Sequence, residues 1–280
     1  MDVHGGNTVA RSRWKILGQG PDSGLVLAVD FSNTGRLLAG FNDLVPRLDP
    51  PVTVWETLPP AAGQVAATDY VDWWLAEVRQ SGRPVRAVLG YCAGAVLAAR
   101  LAERVATWQD EPLLILLDPE LPNTLGLYRD FHTVGDSMTA VLSEAELREF
   151  HEAGQRVQDK FGDDDIAAVG SALGEVFATA MATAADRLGL DDEIRDELAG
   201  VFDSLVAYLV AATRYDPRQV WARSTAICAV EPDTGAPGGH APGRAPVRHE
   251  ITLEVNHRDL LRHDPTAGAV SDLLAGRTVR

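Results

Sequence analysis

The stretch Gly90-Tyr91-Cys92-Ala93-Gly94 sets a cysteine between two glycines, after the apolar run 85–90 and before the Ala- and Leu-rich run 93–107. The pattern is G-x-C-x-G in a strand-to-helix context. A strand turning sharply into a helix holds a nucleophile at the tip of a strained turn, and the glycines let neighbouring backbone close in. Cys92 then sits at a helix N-terminus, where aligned peptide dipoles and unpaired N–H groups favour the thiolate, the reactive form. The chemistry is attack on a carbonyl carbon through a covalent Cys intermediate. The other cysteine, Cys228, lies inside the apolar run 224–230 without flanking glycines and reads as core.

A thiol nucleophile needs a base, normally histidine. Of the seven histidines, His257 directly follows an apolar alternating run (251–255) and precedes the final helical run. The C-terminal ends of strands in a doubly wound sheet open on one edge, so His257 shares an edge with Cys92. His249 lies before that strand, at the opposite edge, and His263 is too far into the following turn. His132 and His151 fall in a helical block and could at most line a pocket. A carboxylate should fix the imidazole tautomer. Asp118 ends the run LLILL and ranks first; Asp233 follows the run 224–230 and ranks second. An oxyanion hole would draw one N–H from Ala93 and a second from Phe31 or Ser32, in the loop after the run 25–30.

These residues require elements that carry them to one edge. Short apolar runs at 25–30, 52–56, 85–90 and 113–117 read as buried strands, and 13–17 as an edge strand. Helical spacing lies between them at 36–48, 68–80 and 93–107. Alternation of this kind means βαβ units and a mostly parallel sheet. The pattern changes over 119–219, which reads as helices near 143–161, 163–188 and 191–214 and no strand. Strands resume at 224–230 and 251–255, and a helix at 264–275 closes the chain. The organisation is a first core part (1–118), a helical lid insertion (119–219) and a second core part (220–280).

Bulk properties narrow the function. The chain has 280 residues, 46% hydrophobic and 23% charged, and a net charge of −15. A fold of this size buries roughly 70% of the unfolded chain's surface without a metal or disulfide staple. The acidic balance argues against nucleic acid and anionic membrane as main partners. Two cysteines cannot make a disulfide framework, so a reducing cytoplasm is the expected compartment. The first ten residues have no apolar core, so no signal peptide is expected, and no run of eighteen apolar residues predicts a membrane span. No metal site, P-loop or dinucleotide fingerprint is present in the sequence, and no cofactor is expected.

With these parts placed, the chain resembles an α/β-hydrolase, specifically the thioesterases of nonribosomal peptide and polyketide synthesis. The matching residues are GYCAGAVLAARLA (90–102), LLDPELP (116–122) and VNHRDLL (255–261). The resemblance covers roughly 25–276. It implies a serine or, less often, a cysteine in the elbow, and a helical lid before the penultimate strand. The family's acid commonly follows the strand after the elbow, as Asp118 does; in stand-alone editing members it follows the penultimate strand, where Asp233 lies. The family's usual Pro-x-x-Gly-Gly turn after the first strand is replaced by Asp30-Phe31-Ser32-Asn33-Thr34-Gly35. The lid is longer than in the editing members.

The resemblance further implies an acyl or peptidyl thioester presented on the phosphopantetheine arm of a carrier protein. The group would pass to Cys92 and then be released by hydrolysis or cyclisation in natural-product, including antibiotic, biosynthesis. Because a cysteine intermediate is itself a thioester, loading is nearly isoenergetic and the group stays activated. That tilts the reading towards transfer, so an acyl or aminoacyl transferase serving another carrier protein, amine or alcohol is the alternative. A non-catalytic carrier-binding module is the alternative of another class. Carrier docking would need a basic spot, and Arg244, Arg248, Arg258 and Arg262 cluster in sequence around His257. Apolar stripes on the lid helices (Leu173, Val176, Phe177, Ala180; Leu198, Phe202, Leu205, Val206, Leu209) read as helix–helix core, with a substrate tunnel as the minority reading.

Overall fold

Strands that are apolar on both faces must be covered on both faces, and this requirement organises the molecule. The computed structural model describes residues 12–31, 38–60, 65–66, 70–162, 165–231 and 246–277. Among the described residues seven strands form one sheet: β1 (Trp14–Gly18), β2 (Leu25–Val29), β3 (Thr53–Thr57), β4 (Val85–Tyr91), β5 (Leu113–Leu117), β6 (Thr225–Glu231) and β7 (His249–Asn256). Their order is β1-β3-β2-β4-β5-β6-β7. β1 runs antiparallel to β3, and every other pairing is parallel.

Position in the sheet follows side-chain pattern. All five residues of central β2 are buried. Edge strand β7 alternates half-buried and exposed residues, as a one-sided strand should. One sheet face packs on α2 (Tyr70–Ser81) and α3 (Gly94–Val105). The other packs on α1 (Phe41–Leu44) and α9 (Asp264–Leu274). The helix expected over 36–48 is short: α1 passes into a 3-10 turn, Val45–Arg47, because Pro46 has no N–H to continue the α-helical ladder. Residues 32–37 lie outside the described set.

Between β5 and β6 stand α4 (Thr124–Ser137), α5 (Glu144–Phe161), α6 (Ile166–Leu188), α7 (Asp192–Ala212) and the short α8 (Arg218–Trp221). The sequence reading has α5, α6 and α7 but not α4. Two glycines and a thin apolar pattern weaken α4 locally. It forms because Asn123 Oδ1 accepts from Gly126 N at 2.7 Å and because Leu127 and Phe131 are buried. Phe131 stacks on Phe150 of α5 at 4.1 Å, and Phe177 of α6 on Phe202 of α7 at 5.3 Å. The apolar stripes on α6 and α7 therefore act chiefly as helix–helix core. Among the described residues α6 alone is long and apolar enough to cross a bilayer, by length and composition; it carries Glu175, Asp186 and Arg187 and packs against α5 and α7.

Candidate active site

Gly90 and Gly94 make the turn between β4 and α3 possible by closeness. A Cβ on Gly90 would lie 2.6 Å from Ala95 Cα, and one on Gly94 would lie 2.4 Å from the carbonyl oxygen of Val29. Between them Cys92 has φ = 51°, a left-handed backbone that costs a non-glycine residue about 1–2 kcal/mol. Surrounding bonds over-determine it. Cys92 N donates to Leu117 O at 3.0 Å, and Cys92 O accepts from Ala95 N at 3.1 Å and Glu120 N at 3.2 Å. Cys92 as a whole is 8% exposed.

Asp118 ends β5 and His257 follows β7, as expected. Their side chains meet: His257 Nδ1 donates to Asp118 Oδ2 at 2.9 Å. The other carboxylate oxygen accepts from Ala229 N at 3.0 Å. Both residues are buried, so each bond to the carboxylate contributes on the order of 1.5–3 kcal/mol. With Nδ1–H held by Asp118, Nε2 carries the lone pair that a general base needs.

Tyr91, which sequence reasoning passed over, lies against the imidazole. Its ring stacks on His257 at 5.0 Å with an 18° interplanar angle. Its hydroxyl donates to His257 O at 2.8 Å and stands 3.1 Å from Nε2. A phenol has one proton to donate. With that proton on the carbonyl, the oxygen is placed to accept a hydrogen bond from a protonated Nε2.

Glu120 and Arg129 were also missed. The Cys92 thiol donates to Glu120 Oε2 across 3.6 Å, and Arg129 Nη2 bonds the same oxygen at 3.0 Å. Burial alone would weaken the Arg129 charge, but Glu120, Cys92 and Asp130 outweigh it and hold the guanidinium firmly protonated. The available signal was the run LLDPELP, whose second acid lies two residues beyond the triad candidate.

The oxyanion candidates fare differently. Ala93 is the N-cap residue of α3, directly after the thiol. Phe31 N is engaged by the side chain of Asp30 at 2.7 Å, a bond that must open before it could serve an oxyanion. Ser32 and Asp233 lie outside the described residues, as does Arg244. Of the other arginines near His257, Arg262 pairs with Asp259 at 3.5 Å. Cys228 is buried in β6, as its setting implied. Among the described residues no group of three or more His, Cys, Asp or Glu is placed to hold a metal.

No protein-family model matches the chain, and no curated protein matches it. Solved structures do. The enol-lactonase from Burkholderia xenovorans LB400 superposes with a TM-score of 0.50 at 14% identity, over 94% of this chain and 95% of that one. The NocB thioesterase domain, in covalent complex with a fluorophosphonate nocardicin G analog, gives 0.49 at 18% identity, over 90% and 95%. MGS-M2, an α/β hydrolase enzyme from a Medee basin deep-sea metagenome library, gives 0.48 at 11%, over 95% and 94%. Likeness at such identities speaks to architecture alone. The likeness to the enol-lactonase, together with the sheet order and the strand-end turn at Cys92, gives this chain the α/β-hydrolase fold.

Proposed function

We propose that this protein is a thioesterase-family enzyme that takes an acyl or peptidyl group from a carrier-borne phosphopantetheine thioester onto Cys92. The supporting observation is the 2.9 Å bond between His257 and Asp118, at the sheet edge where Cys92 sits on its strained turn. In this reading Asp118, not Asp233, is the triad acid. His257 Nε2 takes the thiol proton, and Sγ attacks the carbonyl carbon. The tetrahedral oxyanion collapses with loss of the pantetheine thiolate, which takes the proton back from the imidazolium. The acyl group then leaves Cys92 to water or to an internal nucleophile.

Transfer to a second carrier thiol, an amine or an alcohol is the other reading, favoured by the thioester character of the intermediate. Intact-protein mass after mixing with short acyl-pantetheine thioesters tests the common step. The expected result is one added acyl group, absent in Cys92→Ala. Decay of the adduct with and without amine or holo carrier protein separates hydrolysis from transfer. No adduct and no turnover, even from a carrier-bound thioester, would sink the proposal in favour of a carrier-binding module.

A further inference from the structure

The carboxylate beside the nucleophile is not explained by the reaction just described. Glu120 Oε2 lies 3.6 Å from Cys92 Sγ, and the Glu120 backbone N–H is bonded to Cys92 O at 3.2 Å. Side chain and main chain are thus both anchored on the nucleophile's own residue. As a proton acceptor for the thiol Glu120 is poorly matched, since a free carboxyl titrates near 4.3 and a free thiol near 8.5. As a neighbour it is adverse, because a carboxylate at this range repels the thiolate that must form. Arg129 offsets part of that repulsion from its place on the same oxygen. The other oxygen, Oε1, has Asn123 Nδ2 at 3.5 Å, the long limit of a hydrogen bond.

A cation carried by the substrate would turn the adverse contact into recognition. In a thioester formed on Cys92 from an α-amino acid, the amine nitrogen is three bonds from Sγ, so roughly 3–4 Å away. Glu120 lies at the same distance from the same sulfur. Where the bond between the carbonyl carbon and Cα is rotated so that the amine turns towards Glu120, ammonium and carboxylate can close to the roughly 2.7–2.9 Å of a charge-assisted bond. Groups with the amine acylated, or without an amine, offer Glu120 no such partner.

We infer that Glu120 recognises a free ammonium on the carbon next to the thioester carbonyl, and that the substrates are aminoacyl thioesters with an unblocked α-amine. This rests on the acyl-loading role proposed for Cys92. The loading step is unchanged in its balance: the C–S bond to Cys92 forms, the C–S bond to pantetheine breaks, and the ammonium keeps its protons throughout.

The test compares initial rates of Cys92 acylation, read by intact mass, from alanyl-, N-acetylalanyl- and propionyl-pantetheine. Wild type should load the alanyl group roughly tenfold or more faster than the other two, the effect of one charge-assisted hydrogen bond. In Glu120→Gln the ratio should collapse towards one, and in Glu120→Asp it should partly return. In wild type the same ratio should fall as pH rises through the amine's titration, near 8 for an α-amine; this arm stands even if the variants fold poorly. Equal loading of propionyl and alanyl groups by wild type, or an undiminished ratio in Glu120→Gln, overturns the inference while leaving the acyl-loading role intact. No adduct from any of the three overturns both.

Discussion

Cys92 and Asp118 end neighbouring parallel strands, and both have left-handed backbones, with φ of 51° and 42°. The residue before Asp118 is bonded to Cys92: Leu117 O accepts from Cys92 N. Asp118 N donates in turn to Ile227 O of β6. Two non-glycine residues thus hold strained conformations side by side, each pinned by the next strand. Strain of this kind, about 1–3 kcal/mol per residue, persists where the surroundings over-determine it and clusters at functional sites.

Asp118→Asn isolates the charge from the shape, because asparagine tolerates the left-handed region. Acyl loading of Cys92 should fall by about 10³–10⁴, the scale set by losing the imidazole's tautomer and its charge partner. The melting temperature should move by only a few degrees. An unchanged loading rate in a folded variant would transfer the acid's role to Asp233.

Gly94→Ala tests the closeness of α3 to the end of β2. The new Cβ would lie 2.4 Å from Val29 O and 2.8 Å from Tyr208 Oη. Val29 leads directly into Asp30 and Phe31, the segment offered for the oxyanion. Overpacking should cost about 1–3 kcal/mol in a urea titration. Loading should drop by about 10²–10³, as when an oxyanion donor is displaced. A variant that loses stability but loads at the wild-type rate would detach this segment from catalysis.

The helical block between β5 and β6 carries its own pH dependence. His132 of α4 stacks on His151 of α5 with ring centroids 4.5 Å apart. Burial, and secondarily His151, lower the His132 pKa below its ordinary value, while Asp136 opposes them. His151 Nε2 meets Asp136 at 3.2 Å. The folded state therefore binds fewer protons than the unfolded chain below the ordinary histidine value of about 6.5. Stability from this site is fully present above that value and is lost as pH falls towards the folded-state pKa. The protection factors of α4 and α5, corrected for the slower intrinsic exchange at low pH, should fall between pH 7.5 and pH 5.5, and His132→Gln should flatten the change. Equal protection factors in wild type at both pH values would refute it.

Much of the architecture was legible because its signals are local. Runs such as LVLAV and LLILL are too apolar to be anything but doubly covered strands, and their alternation with helices implies a parallel sheet. α4 was not legible, since what stabilises it is Phe131 meeting Phe150 and Phe202, partners distant in sequence. The run 36–48 was over-read as helix because its spacing is helical and only Pro46 records the stop.

The site divides the same way. Local residue pattern was enough to place a cysteine between two glycines at a strand-to-helix turn, and a histidine and an aspartate at the ends of strands of the same sheet. Strand direction alone carries those residues to one edge, so spacing and polarity suffice to nominate them. That Asp118 reaches His257, that Tyr91 lies flat against the imidazole, and that Glu120, held by Arg129, meets the thiol came from the folded arrangement. Those contacts depend on the order of β4, β5, β6 and β7 in the sheet and on where the β5 loop turns, which are set by packing across the whole molecule and not by any local run of residues.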